Sequence, residues 1–439
     1  ACGQLFFVPS AFFRSTYFPG FLATLVQNDL CGGGTPVEKH VLILATTHDF
    51  LLKFERENVE ILQSMGYTVH FAANLREPGY LSDEEAIRER GVVLHHIDIA
   101  RSPYLVRENQ RALRQLLEIL RRWDMRALHC HTPVGGLLGR LAGKLSPLHP
   151  VVVYTAHGFH FYRGAPLFNR LVYYPVEREL ARYTDLLLVI NQEDEQAARR
   201  LPLAPGGKVF RLPGVGLNRQ VFSPPDPEER QRIRRRYGVA PGEFLLVSLG
   251  ELNVNKNHQV VLEALSLLQR RNRLSGVRYV ICGEGFARER LQREIQEREL
   301  PVSLWGFRRD VPQILTCADA TVFPSRREGL GMAGLESLAM GVPVLAADNR
   351  GTREYMVFGK NGLIYPWNDP AGFARGILLL QGLDPVRRRE LSQRCRESVA
   401  PFDRTLTRET MRLVYEEMDR KRRERLAQMS GGLRGAGVL

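Results

Sequence analysis

Cysteine is sparse and scattered in this 439-residue chain: Cys2, Cys31, Cys130, Cys282, Cys317 and Cys395, with no Cys-x-x-Cys pair and no knot-like spacing. That pattern argues against a disulfide framework and fits reduced, partly buried thiols of a cytosolic protein. Long apolar runs are also missing, and none approaches the ~18 residues that a spanning helix needs. There is no Gly-Lys-Ser/Thr phosphate loop. Acidic residues are in deficit: 61 Lys and Arg face 48 Asp and Glu, a net charge of +13. The excess points to an anionic partner, which nucleic acid, acidic lipid and a phosphorylated substrate would each satisfy. With 44% hydrophobic and 25% charged residues the body of the chain reads as globular, large enough for two or three domains.

Residues 1–38 are aromatic-rich but broken by Pro9, Arg14, Pro19 and Asp29, unlike a signal peptide. They read as a non-conforming extension to which no function is assigned. From Val41 onward, short apolar runs alternate with amphipathic stretches. The runs are Val41–Ala45, Thr68–Ala72, Val92–Ile97, Ala127–Cys130, Val151–Thr155 and Leu186–Ile190; Lys53–Met65, Arg107–Trp123 and Pro166–Tyr183 have helical character. Pro213–Pro225 has the composition of a hinge, after which the alternation restarts at Phe244–Leu249 and continues to Leu363–Tyr365. Val/Ile/Leu runs separated by helices predict parallel sheets covered on both faces. The expected fold is therefore α/β, with two Rossmann-like doubly wound domains facing a cleft. The divisions are 39–213, 214–395, a returning helix at 396–420, and a basic, disordered tail at 421–439.

One segment carries most of the chemistry: Phe323-Pro-Ser-Arg-Arg-Glu-Gly-Leu-Gly-Met-Ala-Gly-Leu-Glu336. It reads as a strand end, a glycine-rich turn and a helix start. Glu328 falls at the turn, and Glu336, eight positions on, lies about one and a half helical turns in. Free amides at the helix start, near Gly331 and Met332, can bind phosphate or sugar hydroxyls, and two flanking carboxylates can accept hydrogen bonds from a polyol. A second segment, Ser248-Leu-Gly-Glu-Leu-Asn-Val-Asn-Lys-Asn257, turns from a strand at Gly250 and offers Lys256 to a leaving phosphate. In the first half, His129-Cys-His-Thr-Pro133 and Tyr154-Thr-Ala-His-Gly-Phe-His-Phe-Tyr162 each lie just after an apolar run, with Asn191-Gln-Glu-Asp194 and Pro213-Gly-Val-Gly216 further along the chain. Such strand ends are where α/β folds place ligands.

Together these segments resemble the retaining family-4 glycosyltransferases of the GT-B fold, over about residues 39–420. The family's Glu-x7-Glu signature matches Glu328 and Glu336, and the histidine stretch with its neighbours is similar to capsular and exopolysaccharide transferases. The resemblance implies that Glu328 contacts the donor sugar, Glu336 the nucleotide ribose, and His157 the reacting face as neutral imidazole. Relatives commonly carry an Arg where this chain has Glu251. Arg327 and Arg308 are the candidate replacements. His131, His160 and His48 are acceptor-side candidates, with packing and a zinc site as alternatives for the histidine cluster. No Asp-x-Asp occurs, so no metal is indicated, and no other cofactor is expected.

The implied reaction moves a hexosyl or N-acetylhexosaminyl group from a nucleotide diphosphate to a glycan or polyprenyl-linked saccharide. The setting would be cytoplasmic, at the inner face of the membrane. Arg107, Arg111, Arg114, Arg121 and Arg122 make Arg107–Trp123 a basic amphipathic helix that could rest on anionic lipid; a solvated face is the alternative. A non-hydrolysing nucleotide-sugar epimerase shares the architecture, and a basic nucleic-acid-binding protein shares the charge. The first does not account for Glu-x7-Glu, and the second lacks a recognisable module. Gly283-Glu-Gly285 invites a dinucleotide reading, which fails because the third glycine position is Arg288.

Overall fold

The computed structural model describes residues 38–77 and 83–435. The extension before Glu38 lies outside the described residues, as do Cys2 and Cys31. Seven strands form a first sheet: β1 (Lys39–Thr47), β2 (Tyr67–Asn74), β3 (Val93–His96), β4 (Ala127–His131), β5 (Val151–Ala156), β6 (Leu186–Val189) and β7 (Lys208–Arg211). Their order is β3-β2-β1-β4-β5-β6-β7. Six strands form a second sheet: β8 (Phe244–Leu249), β9 (Val277–Cys282), β10 (Val302–Gly306), β11 (Ala320–Phe323), β12 (Val344–Ala347) and β13 (Gly362–Tyr365), in the order β10-β9-β8-β11-β12-β13. The pairs within the second sheet run parallel. β8, β11 and β12 are buried almost throughout, as strands covered by helices on both faces must be.

β7 escapes a search for apolar runs. Lys-Val-Phe-Arg is exposed at both ends and half-buried between, because it closes the sheet edge against β6 alone. At the other end of the chain the helix Arg404–Gly435 continues well past Asp419, where composition suggests fraying and disorder. Its Val414, Tyr415, Met418, Arg422 and Leu426 recur at helical spacing and are buried. Tyr415 Oη lies 3.0 Å from His129 Nδ1, and Asp419 accepts from Tyr67 Oη at 2.7 Å. A buried seam extends the helix where charge composition alone does not.

The chain separates into two compact units. One comprises residues up to Cys130, Leu137–Val153 and Leu413 onward; the other comprises His131–Gly136 and Tyr154–Arg412. The second unit contains β8–β13 together with the loops that follow β5 and β6. Its sheet order reverses direction at β8, so the crevice between the carboxyl ends of β8 and β11 is the topological switch point where such sheets bind ligands. Gly283 follows β9 there for packing rather than for a dinucleotide. A Cβ at that position would lie 1.9 Å from the carbonyl oxygen of Gly250, so the loop after β8 can rest directly on it.

Candidate active site

The two loops at this switch point are stitched together by their backbones. Arg326 N–H donates to Asn255 O at 2.8 Å, and Asn255 Nδ2 donates to Arg327 O at 2.9 Å. Asn257 sits at φ 55°, a conformation asparagine tolerates, and its amide reaches Pro324 O and Trp367 O at 3.1 and 2.8 Å. This framework fixes Lys256 opposite Glu328. The ammonium donates to Glu328 Oε1 at 2.7 Å and lies 5.2 Å from the Phe323 ring centroid. The two side chains retain 22% and 14% exposure, so the pair is sheltered but open to a ligand. Gly250 lines the lysine stem: a Cβ there would meet Lys256 Cε at 3.2 Å.

Beyond Glu328 the chain reaches Gly331 at φ 90°, then enters the helix Met332–Ala339 with no side-chain cap. The amides of the first turn, including that of Met332, thus receive no capping side chain, leaving the helix's positive end for an anion. Glu336 lies within this helix, and burial pushes its carboxyl up to about 7. It therefore takes up a proton far more readily than an ordinary glutamate.

Sequence expectation did not include Arg350. It follows β12, only 5% of its side chain is exposed, and it ties three loops together. Nη1 donates to Asp194 Oδ1 at 2.6 Å, Nη2 to Phe159 O at 2.8 Å, and Nε to Glu328 O at 3.3 Å. Asn191 adds a bond from Nδ2 to Gly329 O at 2.9 Å. Gly329 itself packs on the backbone of His157, whose oxygen would lie 2.0 Å from a Cβ at that position. Tyr162 closes the His-Gly-Phe-His-Phe-Tyr stretch. Its ring lies beside both Arg327 and Arg350, at 5.6 and 5.1 Å from the guanidinium carbons. The signal available was Asn349-Arg350-Gly351 at a strand's carboxyl end, easily read as an ordinary turn.

His131 and His157 are brought together, with Nδ1 and Nε2 3.3 Å apart. Burial lowers His157 to about 4, so it is neutral at ordinary pH. His160 stacks near Tyr173 and is also lowered to about 4, first by burial and then by the charges of Arg327 and Arg350. His48 belongs to the other unit, where it is buried just after β1. Of the two replacement cations considered for Glu251, Arg327 lies beside Tyr162. Arg308 is bound to Asp310, with Nε at 2.8 Å, and Tyr237 donates to the same carboxylate. Glu251 itself is exposed.

This fold and these loops define a glycosyltransferase, and comparison with known proteins agrees. Residues 55–214 match the family described as "Glycosyl transferase 4-like domain", and residues 229–398 match "Glycosyl transferases group 1". The chain belongs to glycosyltransferase family 4, of the GT-B fold. It is 38% identical, over 87% of its length and 98% of the relative's, to "Putative glycosyltransferase EpsD" of Bacillus subtilis. It is 26% identical to "UDP-Gal:alpha-D-GlcNAc-diphosphoundecaprenol alpha-1,3-galactosyltransferase" of Escherichia coli, over 66% of this chain and 75% of that one. Among solved structures, Anabaena HepE in complex with UDP and glucose has a similar fold, with a TM-score of 0.70 at 16% identity, covering 87% of this chain and 100% of that one. Sucrose-phosphate synthase from Thermosynechococcus elongatus gives 0.71, also at 16% identity, covering 88% and 100%.

Proposed function

We propose that this glycosyltransferase moves a sugar from a nucleotide diphosphate, with retention at the anomeric carbon, to a glycan or lipid-linked saccharide. The observation that carries the reading is the Lys256–Glu328 pair at 2.7 Å beside an uncapped helix start. A diphosphate arriving at the helix amides competes for Lys256, which neutralises charge as it grows on the leaving group. Glu328 is then released to accept hydrogen bonds from the donor sugar. Glu336 is assigned to the nucleotide ribose. His157, held neutral by burial, lines the reacting face as a hydrogen-bonding group rather than a charged one.

In the proposed front-face step the anomeric carbon–oxygen bond to the donor phosphate breaks. The acceptor hydroxyl oxygen bonds to the same face of that carbon, and its proton passes to the departing phosphate oxygen. The products are a nucleoside diphosphate and a glycoside of unchanged anomeric configuration. No metal is assigned a role, because Lys256 and the helix amides supply the positive charge that the leaving group requires. The setting is taken to be exopolysaccharide or capsule synthesis, as the resemblance of the histidine stretch to such transferases implies, and the likeness to EpsD extends over nearly the whole of that relative.

The test has two parts. UDP or GDP should raise the melting temperature of the parent protein, and Lys256→Ala should remove most of that rise. Proton NMR of the glycoside formed from a defined nucleotide sugar should then show the donor's anomeric configuration. An inverted product would refute the retaining step, and equal nucleotide binding by the Lys256 variant would refute its role.

A further inference from the structure

At the switch point β8 and β9 stay paired to their ends, the last partners being Leu249 and Cys282. β8 and β11 do not. Their pairing ends at Val247 and Thr321, although β8 runs on to Leu249 and β11 to Phe323. This parting of the two strands opens the crevice that holds Lys256 and Glu328. One step past the last pair, a side chain takes over from the ladder: Ser248 Oγ donates to Val322 O at 2.6 Å. From Ser248 a row of polar groups continues across the sheet. Tyr279 Oη, on β9, lies 2.7 Å from Ser248 Oγ, and His258 Nδ1 lies 3.2 Å from Tyr279 Oη. All three residues are buried, so water does not compete for these bonds.

The protons of this row can be counted. A carbonyl oxygen only accepts, so the Ser248 hydroxyl proton goes to Val322 O. The contact between Ser248 and Tyr279 then needs the Tyr279 proton, and the contact between Tyr279 and His258 needs a proton on Nδ1. His258 is thereby fixed as the Nδ1–H tautomer, and its Nε2 keeps a lone pair that is buried and has no hydrogen-bond partner. A leucine would avoid that unmet acceptor, so the worth of this histidine lies in its other nitrogen. Burial, and then the charge of Lys256, lower His258 to about 3. It is therefore a neutral donor and adds no second cation beside the lysine.

His258 opens the helix His258–Arg270 and stands two positions after Lys256. Between them Asn257, at φ 55°, turns the chain, and its own amide is tied to Pro324 O and Trp367 O. Lys256 consequently faces Glu328 in the crevice while His258 faces the core, where its bond to Tyr279 pins the far side of the turn. We infer that Ser248, Tyr279 and His258 are positioning residues for the transfer: they hold β8 and β11 at a set spacing beneath the crevice and keep Lys256 where a diphosphate meets it. This rests on the donor-site reading above and adds the internal support of its cation. The stitches through Asn255 join the two loops themselves, whereas this row joins the strands and the helix that carry them.

The experiment is calorimetric titration of the full chain with UDP and with GDP, the tighter of the two being carried into a double-mutant cycle. Each variant is first shown to be folded by its melting curve without nucleotide. Tyr279→Phe keeps the ring and removes the hydroxyl that joins serine to histidine. It should weaken nucleotide binding by about three- to tenfold when Lys256 is present, and by less than about twofold in Lys256→Ala, where the group it positions is gone. His258→Leu should show the same loss. His258→Asn should restore most of the parent's affinity, since its amide nitrogen takes the place of Nδ1. Should Tyr279→Phe unfold, the two His258 variants replace it in the cycle. Equal losses with and without Lys256 would reduce the row to an ordinary structural contact and overturn the proposal, as would full affinity in both Tyr279→Phe and His258→Leu. Failure of the donor-site reading looks different: the parent binds neither nucleotide, or Lys256→Ala alone binds as well as the parent, and the proposal then falls with it.

Discussion

Two ion pairs in the same unit behave as opposites. Lys256–Glu328 is 2.7 Å long and partly exposed; Arg350–Asp194 is 2.6 Å long and almost wholly buried. Around the buried pair, loss of water pushes the Asp194 carboxyl up and the Arg350 guanidinium down, and their mutual attraction only partly offsets this. Such a pair adds little net stability, yet losing one partner strands a charge in a dry site. The open pair has the reverse economy, since either partner can be rehydrated or taken by a ligand. Short distance alone therefore does not separate a locking contact from one that a ligand can open; access to solvent does.

The largest effect should therefore come from the buried side. Arg350→Met leaves the buried Asp194 carboxylate without its counter-charge, held only by the neutral donors Phe159 N–H and Asn191 Nδ2, and should destabilise the protein by about 3–5 kcal/mol, read as a fall in the denaturant midpoint. A double variant, Arg350→Met with Asp194→Asn, should recover part of that loss. If the single variant unfolds at the parent's midpoint, the two pairs are not different in kind.

Substitutions in the open pair should affect turnover while sparing the fold. Glu328→Gln should cut transfer by an amount corresponding to about 1.5–3 kcal/mol for each charge-assisted bond lost, with an unchanged melting temperature. Lys256→Ala should cost on the order of a hundredfold in kcat. Near-normal turnover in the glutamine variant would remove Glu328 from the site.

Half-buried imidazoles give the locked region an acid response. His157 and His160 are lowered to about 4, so between that value and the ordinary 6.5 they stay neutral when folded but take up protons when unfolded. The unfolded state binds more protons in this window, so stability falls as pH drops below about 6.5. The slope is at most about 1.4 kcal/mol per pH unit for each histidine. Chemical denaturation at pH 7.5, 6 and 5 should reveal it, and His157→Gln should lessen the slope by its own share, the rest coming from His160, His70, His95 and His258, which burial also lowers. The smallest effect is expected from Glu251→Arg. Glu251 is exposed, so placing there the cation that the family resemblance implies should strengthen nucleoside diphosphate binding by no more than about 1 kcal/mol, measured by calorimetric titration.

Much of the fold was legible because buried parallel strands carry long Val/Ile/Leu runs; Phe244–Leu249 was anticipated with its observed bounds. β7 was not, because an edge strand needs little apolar surface. Lys256 and Glu328 were legible because a glycine turn, a strand end and a helix start coincide in one short segment. Arg350 was illegible for the opposite reason. Its partners Asp194 and Phe159 lie 156 and 191 positions away, and no local pattern announces a contact of that range. The arginine-rich helix Val106–Arg122, whose Ala112, Leu116 and Leu120 are buried, makes the same point. Sequence periodicity shows that a helix has an apolar stripe, but only tertiary packing decides whether that stripe is covered.

The latch around Gly329 also bears on how this chain can be recombined. Enzymes made of two sheets invite exchange of the donor-side half to change sugar specificity, and the hinge composition after Pro213 marks an obvious splice point. A graft of residues 214–395 alone would bring Arg350 and Gly329 without Asp194, Asn191 or the His157 backbone they fit. The compact block comprises His131–Gly136 and Tyr154–Arg412, and its longer stretch includes both sides of the latch. A chimera spliced near Tyr154 keeps its buried arginine paired, and the transferable module is consequently larger than the β8–β13 sheet alone.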